Sequence, residues 1–126
     1  MKQPLSGYRV IDTTAMVSGP LATMQLADQG ADVLKIERPE VGDYTRLASN
    51  RRNGFSASYL NNNRNKRSVA LNLKDKAGRE ALLRLCADAD VFVQNFRPGV
   101  AERMGIGEDD IRAVAPDIIY CSISGF

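Results

Sequence analysis

Three stretches in the first third of the chain decide the fold: RVID at residues 9–12, SGP at residues 18–20 and DVLKIER at residues 32–38. The first and third are apolar, β-branched runs typical of buried strands, and the second supplies a tight turn and a helix start. Strand, helix and strand in this order form a βαβ unit with parallel strands. The last stretch ends on Arg38, a cation at the carboxyl end of its strand, where α/β sheets bind ligands. The start of the chain is therefore predicted to be a nucleotide-binding half.

Composition is typical of one ordinary domain. The 126 residues are 44% apolar and 25% charged, and a chain of this length buries roughly two-thirds of its unfolded surface. Seventeen basic and fifteen acidic residues leave a net charge of +2, so no nucleic acid and no membrane is expected as a partner. Histidine is absent, which removes imidazole catalysis and most zinc chemistry, and we predict no metal site.

The two cysteines indicate a reducing compartment. Cys86 falls in a helical pattern and Cys121 in a strand pattern, without CxxC spacing, and we expect no secretory leader. No apolar run approaches the ~20 residues that span a bilayer. We therefore expect both thiols to be reduced core residues of a cytoplasmic protein.

Strands alternate with helices along the rest of the chain. We predict a third strand at 68–73, a helix capped by Asp75, a short fourth strand at 91–93, a helix at 108–114 and a fifth strand at 118–123. Strands rich in Val and Ile that alternate with helices indicate an α/β fold. The expected architecture is a Rossmann-like parallel sheet with helices on both faces.

Residues 39–67 break this pattern. The segment is rich in Gly, Asn, Ser and Arg and is predicted to be a long loop, either functional or disordered. Its last part, NNNRNKR at 61–67, could contact a nucleic-acid backbone. Only Phe55 and Tyr59 lie near it for base stacking, so a solvated loop or a phosphate contact is favoured.

Cations follow three of the five predicted strands. Arg38, Lys74 and Arg97 come where the carboxyl ends of parallel strands meet at one edge of the sheet. Together with the amides at Gly19 they could hold a phosphorylated ligand. The alternative is that each is a solvated surface charge.

A nicotinamide dinucleotide is a second candidate ligand. It needs the pattern GxGxxG after the first strand and an acid after the second, a role that Glu37 would fill. The turn at 16–21 reads MVSGPL, with one glycine, and Pro20 removes an amide donor. A non-catalytic nucleotide-binding module therefore stays open as the alternative class of function.

A set of short motifs resembles the start of a class III CoA-transferase. That family includes formyl-CoA and carnitine CoA-transferases and the related α-methylacyl-CoA racemases. The resemblance covers essentially the whole chain, and the set in this order is specific although each motif alone is weak. The motifs are PLSG at 4–7, GP at 19–20, GADVLKIE at 30–37, GD at 42–43, NRNKRS at 63–68, LNLK at 71–74, DV at 90–91 and NFRPG at 95–99.

The resemblance implies that coenzyme A is bound as a substrate, without a prosthetic group. Arg38 would meet the adenosine-phosphate end, residues 71–74 would border the adenine, residues 95–97 would line the pantetheine path, and Arg103 would pair with phosphate. Val17 stands where formyl-CoA transferases carry glutamine, which favours a larger or more apolar acyl group. The implied binding residues are Val17, Ser18, Arg38, Leu71, Asn72, Leu73, Lys74, Asn95, Phe96, Arg97 and Arg103.

The resemblance also implies where catalysis takes place. In the transferases an aspartate attacks the acyl-CoA carbonyl and passes CoA to a carboxylic acid, and the racemases use a His and acidic residues to exchange the α-proton. We find no counterpart of these groups in this sequence, so no catalytic residue is assigned. Residues 1–126 are expected to be the incomplete N-terminal, CoA-binding segment of a large Rossmann-like domain, inactive alone. The resemblance leads us to expect that the small domain and the C-terminal part lie outside these residues and that two complete subunits form an interlocked homodimer.

Overall fold

The computed structural model describes residues 2–48 and 50–125 as seven strands, five α-helices and one 3₁₀ turn, Tyr44–Leu47. Among these residues, no helix combines the length and apolar character needed to cross a bilayer. The strands are β1 (Arg9–Asp12), β2 (Asp32–Glu37), β3 (Arg51–Arg52), β4 (Phe55–Ser56), β5 (Arg67–Ala70), β6 (Val91–Gln94) and β7 (Ile119–Ser122). The helices are α1 (Ser18–Asp28), α2 (Ala57–Asn63), α3 (Lys76–Cys86), α4 (Val100–Arg103) and α5 (Glu108–Val114).

Five strands form one parallel sheet in the order β5-β2-β1-β6-β7. Ile11 of β1 lies beside Leu34 of β2 on one side and Phe92 of β6 on the other. The chain therefore winds outward in one direction from β1 to β5 and in the other from β6 to β7. Such a reversal opens a crevice beyond the carboxyl ends of the two central strands. The predicted Rossmann-like parallel sheet is confirmed.

Apolar layers lie on both faces of the sheet. They form because successive residues in each strand point to opposite sides and both sets are apolar. One layer joins Ile11 and Phe92 to the buried Leu82 and Cys86 of α3, with parts of α4 and α5. The other joins Val10, Val33 and Val93 of the sheet to Ala27 of α1. The helix predicted after Asp75 is thus confirmed, and its apolar residues pack against the sheet.

The predicted loop over residues 39–67 was wrong for much of its length. It contains the 3₁₀ turn, the two-stranded β3–β4 hairpin and α2. The hydroxyl of Ser56 caps α2 by accepting a hydrogen bond from the Tyr59 amide at 3.3 Å. Asn62 and Asn63 are buried. Asparagine is a poor helix former, and the segment has no apolar repeat, so tertiary contacts rather than local pattern explain this helix.

Candidate functional site

A cleft of about 840 Å³ opens at the carboxyl ends of β1, β2, β5 and β6. It has the size of a small-molecule site and lies at the strand reversal between β1 and β6. Eight of the eleven predicted binding residues line it: Arg38, Leu71, Asn72, Leu73, Lys74, Asn95, Phe96 and Arg97.

The other three predicted residues lie outside this lining. Val17 is the exposed residue that precedes α1, and Ser18 is the first residue of that helix. Arg103 is exposed at the end of α4. The structure therefore does not bring these three side chains to the cleft.

Three cations in the cleft lining are exposed to water: Arg38, Lys74 and Arg97. Within the described ranges, no carboxylate forms an ion pair with any of them. Exposed guanidinium and ammonium groups with no internal partner can exchange water for phosphate oxygens. The cleft therefore carries local positive charge although the whole chain is nearly neutral.

The two asparagine side chains in the lining are already bound to protein groups. Asn95 donates to the carbonyl of Ala15 at 2.8 Å and accepts from the amide of the same residue at 3.0 Å. Asn72 donates to Asp75 at 2.8 Å and accepts from the Lys74 amide at 3.2 Å. These two side chains shape the wall of the cleft.

A buried ion pair supports the turn after β1. Lys35 Nζ donates to Asp43 Oδ2 at 2.9 Å and to the Thr14 carbonyl at 3.0 Å, and both charged side chains are only 1% exposed. Asp43 also accepts from the Met16 amide at 3.2 Å. Burial alone would raise the pKa of Asp43, but hydrogen bonds from Thr45 and Lys35 hold it below its usual value.

Sequence reasoning missed this pair, although β2 contained a signal for it. A strand in the middle of a parallel sheet is buried on both faces, and a charged residue there needs an opposite charge. Lys35 stands among apolar neighbours in such a strand. The pattern therefore indicates a buried partner without showing that it is Asp43.

Glu37 is the centre of a second buried cluster. Its carboxylate accepts from Arg46 Nε at 2.7 Å and Nη2 at 2.8 Å, from Ser68 at 3.1 Å and from the Asp43 amide at 3.0 Å. The Tyr59 hydroxyl donates to it as well. Burial opposes ionisation, but these donors lower the pKa of Glu37 to about 2. Because Glu37 is committed inside the protein, it is not free for the ribose contact that the dinucleotide alternative requires.

The basic stretch at 61–67 is largely tied to the fold. The Lys66 side chain is 1% exposed and pairs with the fully buried Asp12 at 2.9 Å, while Thr23 Oγ1 accepts from the same ammonium at 2.8 Å. Arg64 pairs with Asp28 at 2.6 Å. The prediction of a solvated loop was therefore wrong for Lys66. Its partner Asp12 lies 54 positions away in the sequence, so no local pattern indicates the pairing.

Comparisons with known proteins agree with this fold. The family model described as CoA-transferase family III matches residues 5–126. The chain is 47% identical to the succinyl-CoA:glutarate CoA-transferase of Homo sapiens, covering 98% of this chain and 28% of that protein. It is 44% identical to a formyl-CoA:oxalate CoA-transferase of Escherichia coli, covering 100% of this chain and 30% of that protein.

A solved structure gives the same result. A CAIB/BAIF family protein from Brucella suis superposes with a TM-score of 0.93 at 37% identity, covering 100% of this chain and 34% of the other. The chain spans roughly three-tenths of the length of the curated relatives that it matches. The match over residues 5–126 shows that this chain belongs to CoA-transferase family III.

Proposed function

We propose that this chain forms part of the CoA site of an enzyme that moves CoA from an acyl-CoA donor to a carboxylic acid. The observation that carries the proposal is the cleft lined by the exposed cations Arg38, Lys74 and Arg97. Coenzyme A bears a diphosphate and a 3′-phosphate, and such groups are held by exposed cations at the ends of strands. The curated relatives named above are CoA-transferases, which supports this substrate class.

The proposed roles divide along the lining. Arg38 contacts the adenosine-phosphate end of CoA, Leu71 to Lys74 border the adenine, and Asn95 to Arg97 line the path of the diphosphate and pantetheine. The side-chain amide of Asn95 contributes indirectly, because its two hydrogen bonds hold the Ala15 backbone in the wall of the cleft. Val17, Ser18 and Arg103 complete the proposed set from outside the cleft lining.

The chemical step that we propose is transfer through an aspartyl intermediate. The nucleophilic aspartate attacks the acyl-CoA carbonyl and displaces CoA as the thiolate, which leaves a mixed anhydride. The thiolate attacks the aspartyl carbonyl of this anhydride, so that the donor carboxylate leaves and an aspartyl-CoA thioester forms. The acceptor carboxylate then attacks that thioester, and the thiolate released attacks the acceptor carbonyl of the new anhydride, which gives the product acyl-CoA and frees the aspartate. No residue of this chain is assigned that role, so the chain alone is proposed to bind CoA without turning it over. Transfer is favoured over α-proton racemisation because the curated relatives named above are transferases.

The acyl group is proposed to be larger than formyl or oxalyl. The proposal rests on Val17, an exposed apolar residue in the first turn, at the position where the sequence resemblance implies glutamine in formyl-CoA transferases.

An interlocked homodimer of complete subunits is proposed as the assembly, and light scattering on the complete protein tests it. A cytoplasmic location is proposed from the free thiols Cys86 and Cys121.

Titration calorimetry with three ligands tests CoA recognition. We expect the chain to bind CoA most tightly, 3′-dephospho-CoA more weakly and NAD least, because 3′-dephospho-CoA lacks the 3′-phosphate of CoA and NAD lacks the pantetheine arm as well. Stronger binding of NAD, or no binding of CoA, would contradict the proposal. Tight polynucleotide binding that weakens steeply with salt would instead indicate a nucleic-acid-binding module.

A further inference from the structure

Tyr44 lies directly beneath one of the cleft cations. The Arg38 Cζ atom stands 4.4 Å from the centre of the Tyr44 ring, and both residues line the cleft. The Tyr44 side chain is 55% exposed, so neither the core nor the sheet requires an aromatic residue there. A ring in this position attracts a guanidinium through its electron-rich face.

The backbone that carries Tyr44 is anchored at its start. Tyr44 opens the 3₁₀ turn, and the preceding Asp43 accepts hydrogen bonds from the amide and the hydroxyl of Thr45, both at 2.9 Å. Asp43 is in turn fixed by the buried Lys35. The start of the turn is therefore tied to β2, the strand that ends next to Arg38.

The same turn is anchored at its other end. Arg46 binds Glu37 through two hydrogen bonds of 2.7 and 2.8 Å. Its guanidinium also lies 3.7 Å from the centre of the Tyr59 ring. Tyr44 therefore sits on a segment that is bound to β2 on both sides, which fixes the backbone from which its ring reaches Arg38.

Arg38 is left with its hydrogen-bonding edge available. Its sequence neighbour Glu37 is fully engaged by Arg46, Tyr59 and Ser68. Glu40 also lines the cleft, yet within the described residues it forms no ion pair with Arg38. Stacking on a ring uses the face of a guanidinium, while the N–H donors lie around its edge. Arg38 can thus stack on Tyr44 and bind an anion at the same time.

We infer that Tyr44 is a positioning residue for CoA recognition: its ring holds the Arg38 guanidinium in the cleft, ready to bind the phosphate-bearing end of the ligand. This inference rests on the proposed function of the cleft. Tyr44 acts through Arg38, and its ring rather than its hydroxyl performs this role. The gain comes from preorganisation, since a guanidinium already held by the ring loses less freedom when phosphate binds.

Calorimetry with CoA on four forms of the chain tests the inference. We expect Tyr44→Leu to weaken CoA binding about two- to fivefold, the range for an exposed cation–ring contact. Tyr44→Phe should bind as the unchanged chain does. The matched control is Tyr8→Leu. Tyr8 is 53% exposed and directly precedes β1, so it lies at the amino end of the strand, away from the cleft at the carboxyl ends. All four forms should unfold at the same denaturant concentration.

The same titrations in an Arg38→Ala background separate action through Arg38 from direct contact with the ligand. Tyr44→Leu should have no further effect there, because the group that it positions is gone. Three results would each overturn the inference while CoA binding by the unchanged chain stands. They are an unchanged CoA affinity in Tyr44→Leu, an equal loss of CoA affinity in Tyr44→Phe, and an effect of Tyr44→Leu that is as large in the Arg38→Ala background as without it. Absence of CoA binding by the unchanged chain would overturn the proposed function with it.

Discussion

The chain places its cations in two contrasting settings. At the cleft, Arg38, Lys74 and Arg97 face water without an internal carboxylate partner among the described residues. Inside the protein, the side chains of Lys35 and Lys66 are each 1% exposed and each bound to a buried aspartate at 2.9 Å. Both groups contain lysine, and the buried Lys35 lies only three positions before the exposed Arg38.

This difference separates the cations that bind ligand from the cations that hold the fold. A charge in water loses little free energy by exchanging water for phosphate, so an exposed cation is available for binding. A buried charge requires its partner, because removing one member leaves the other unpaired in a medium that solvates it poorly. The exposed set should therefore control affinity, and the buried set should control stability.

The largest effect is expected at the buried pair of Lys66 and Asp12. Lys66→Met removes the ammonium and leaves the fully buried Asp12 carboxylate without its counter-charge. We expect a loss of about 3–5 kcal/mol in the free energy of unfolding. Urea unfolding followed by circular dichroism measures it.

A double variant sharpens that result. Replacing both members, as Lys66→Met with Asp12→Asn, removes the two charges together and should recover part of the lost stability, because the Asn oxygen still accepts the hydrogen bonds that Thr14 donates to Asp12. A double variant as unstable as Lys66→Met alone would show that the damage comes from packing rather than from an unpaired charge.

The pH dependence of stability should reveal Glu37. Its pKa is about 2 in the folded protein against an ordinary value of 4.5, so its contribution is full above about pH 5 and is lost as the pH falls toward 2. We expect the unchanged chain to exceed Glu37→Gln by about 2 kcal/mol at pH 7, after allowing for the partial exposure of Arg46. Urea unfolding of both forms between pH 7 and pH 2 should show this gap closing. A gap that does not change with pH would mean that the Glu37 charge is not responsible.

The smallest effect is expected at an exposed pair in the same segment. Arg64 pairs with Asp28 at 2.6 Å, but its side chain is 49% exposed. Arg64→Ala should therefore change the free energy of unfolding by less than about 1 kcal/mol. This variant is the matched control for Lys66→Met, because the two residues are two positions apart. Equal losses at both positions would remove the distinction between buried and exposed cations.

The sheet could be predicted because its signals are local. The β-branched runs around Val10, Val33, Phe92 and Ile119 each correspond to an observed strand, and the alternation with helices determines that they run parallel. Parallel strands also bring their carboxyl ends together. The placement of Arg38, Lys74 and Arg97 at one edge follows from that rule alone.

The buried pairs could not be predicted because their partners are distant in sequence. Nothing near Lys66 indicates that Asp12 receives it, and Asn61 to Asn63 disfavour the helix that brings it there. The pairs form only once the sheet exists, since one member of each, Asp12 or Lys35, lies in strand β1 or β2. The structure of residues 39–67 therefore depends on charge pairs that form in the tertiary structure, whereas the local pattern predicted a loop.

The most direct test measures stability and affinity on the same variant, Arg38→Ala. The account predicts CoA binding weaker by roughly ten- to a hundredfold, from the loss of a charge-assisted contact, with the free energy of unfolding changed by less than about 0.5 kcal/mol. Unchanged CoA affinity would contradict the account, because the exposed cations of the cleft would then have no role in holding the ligand.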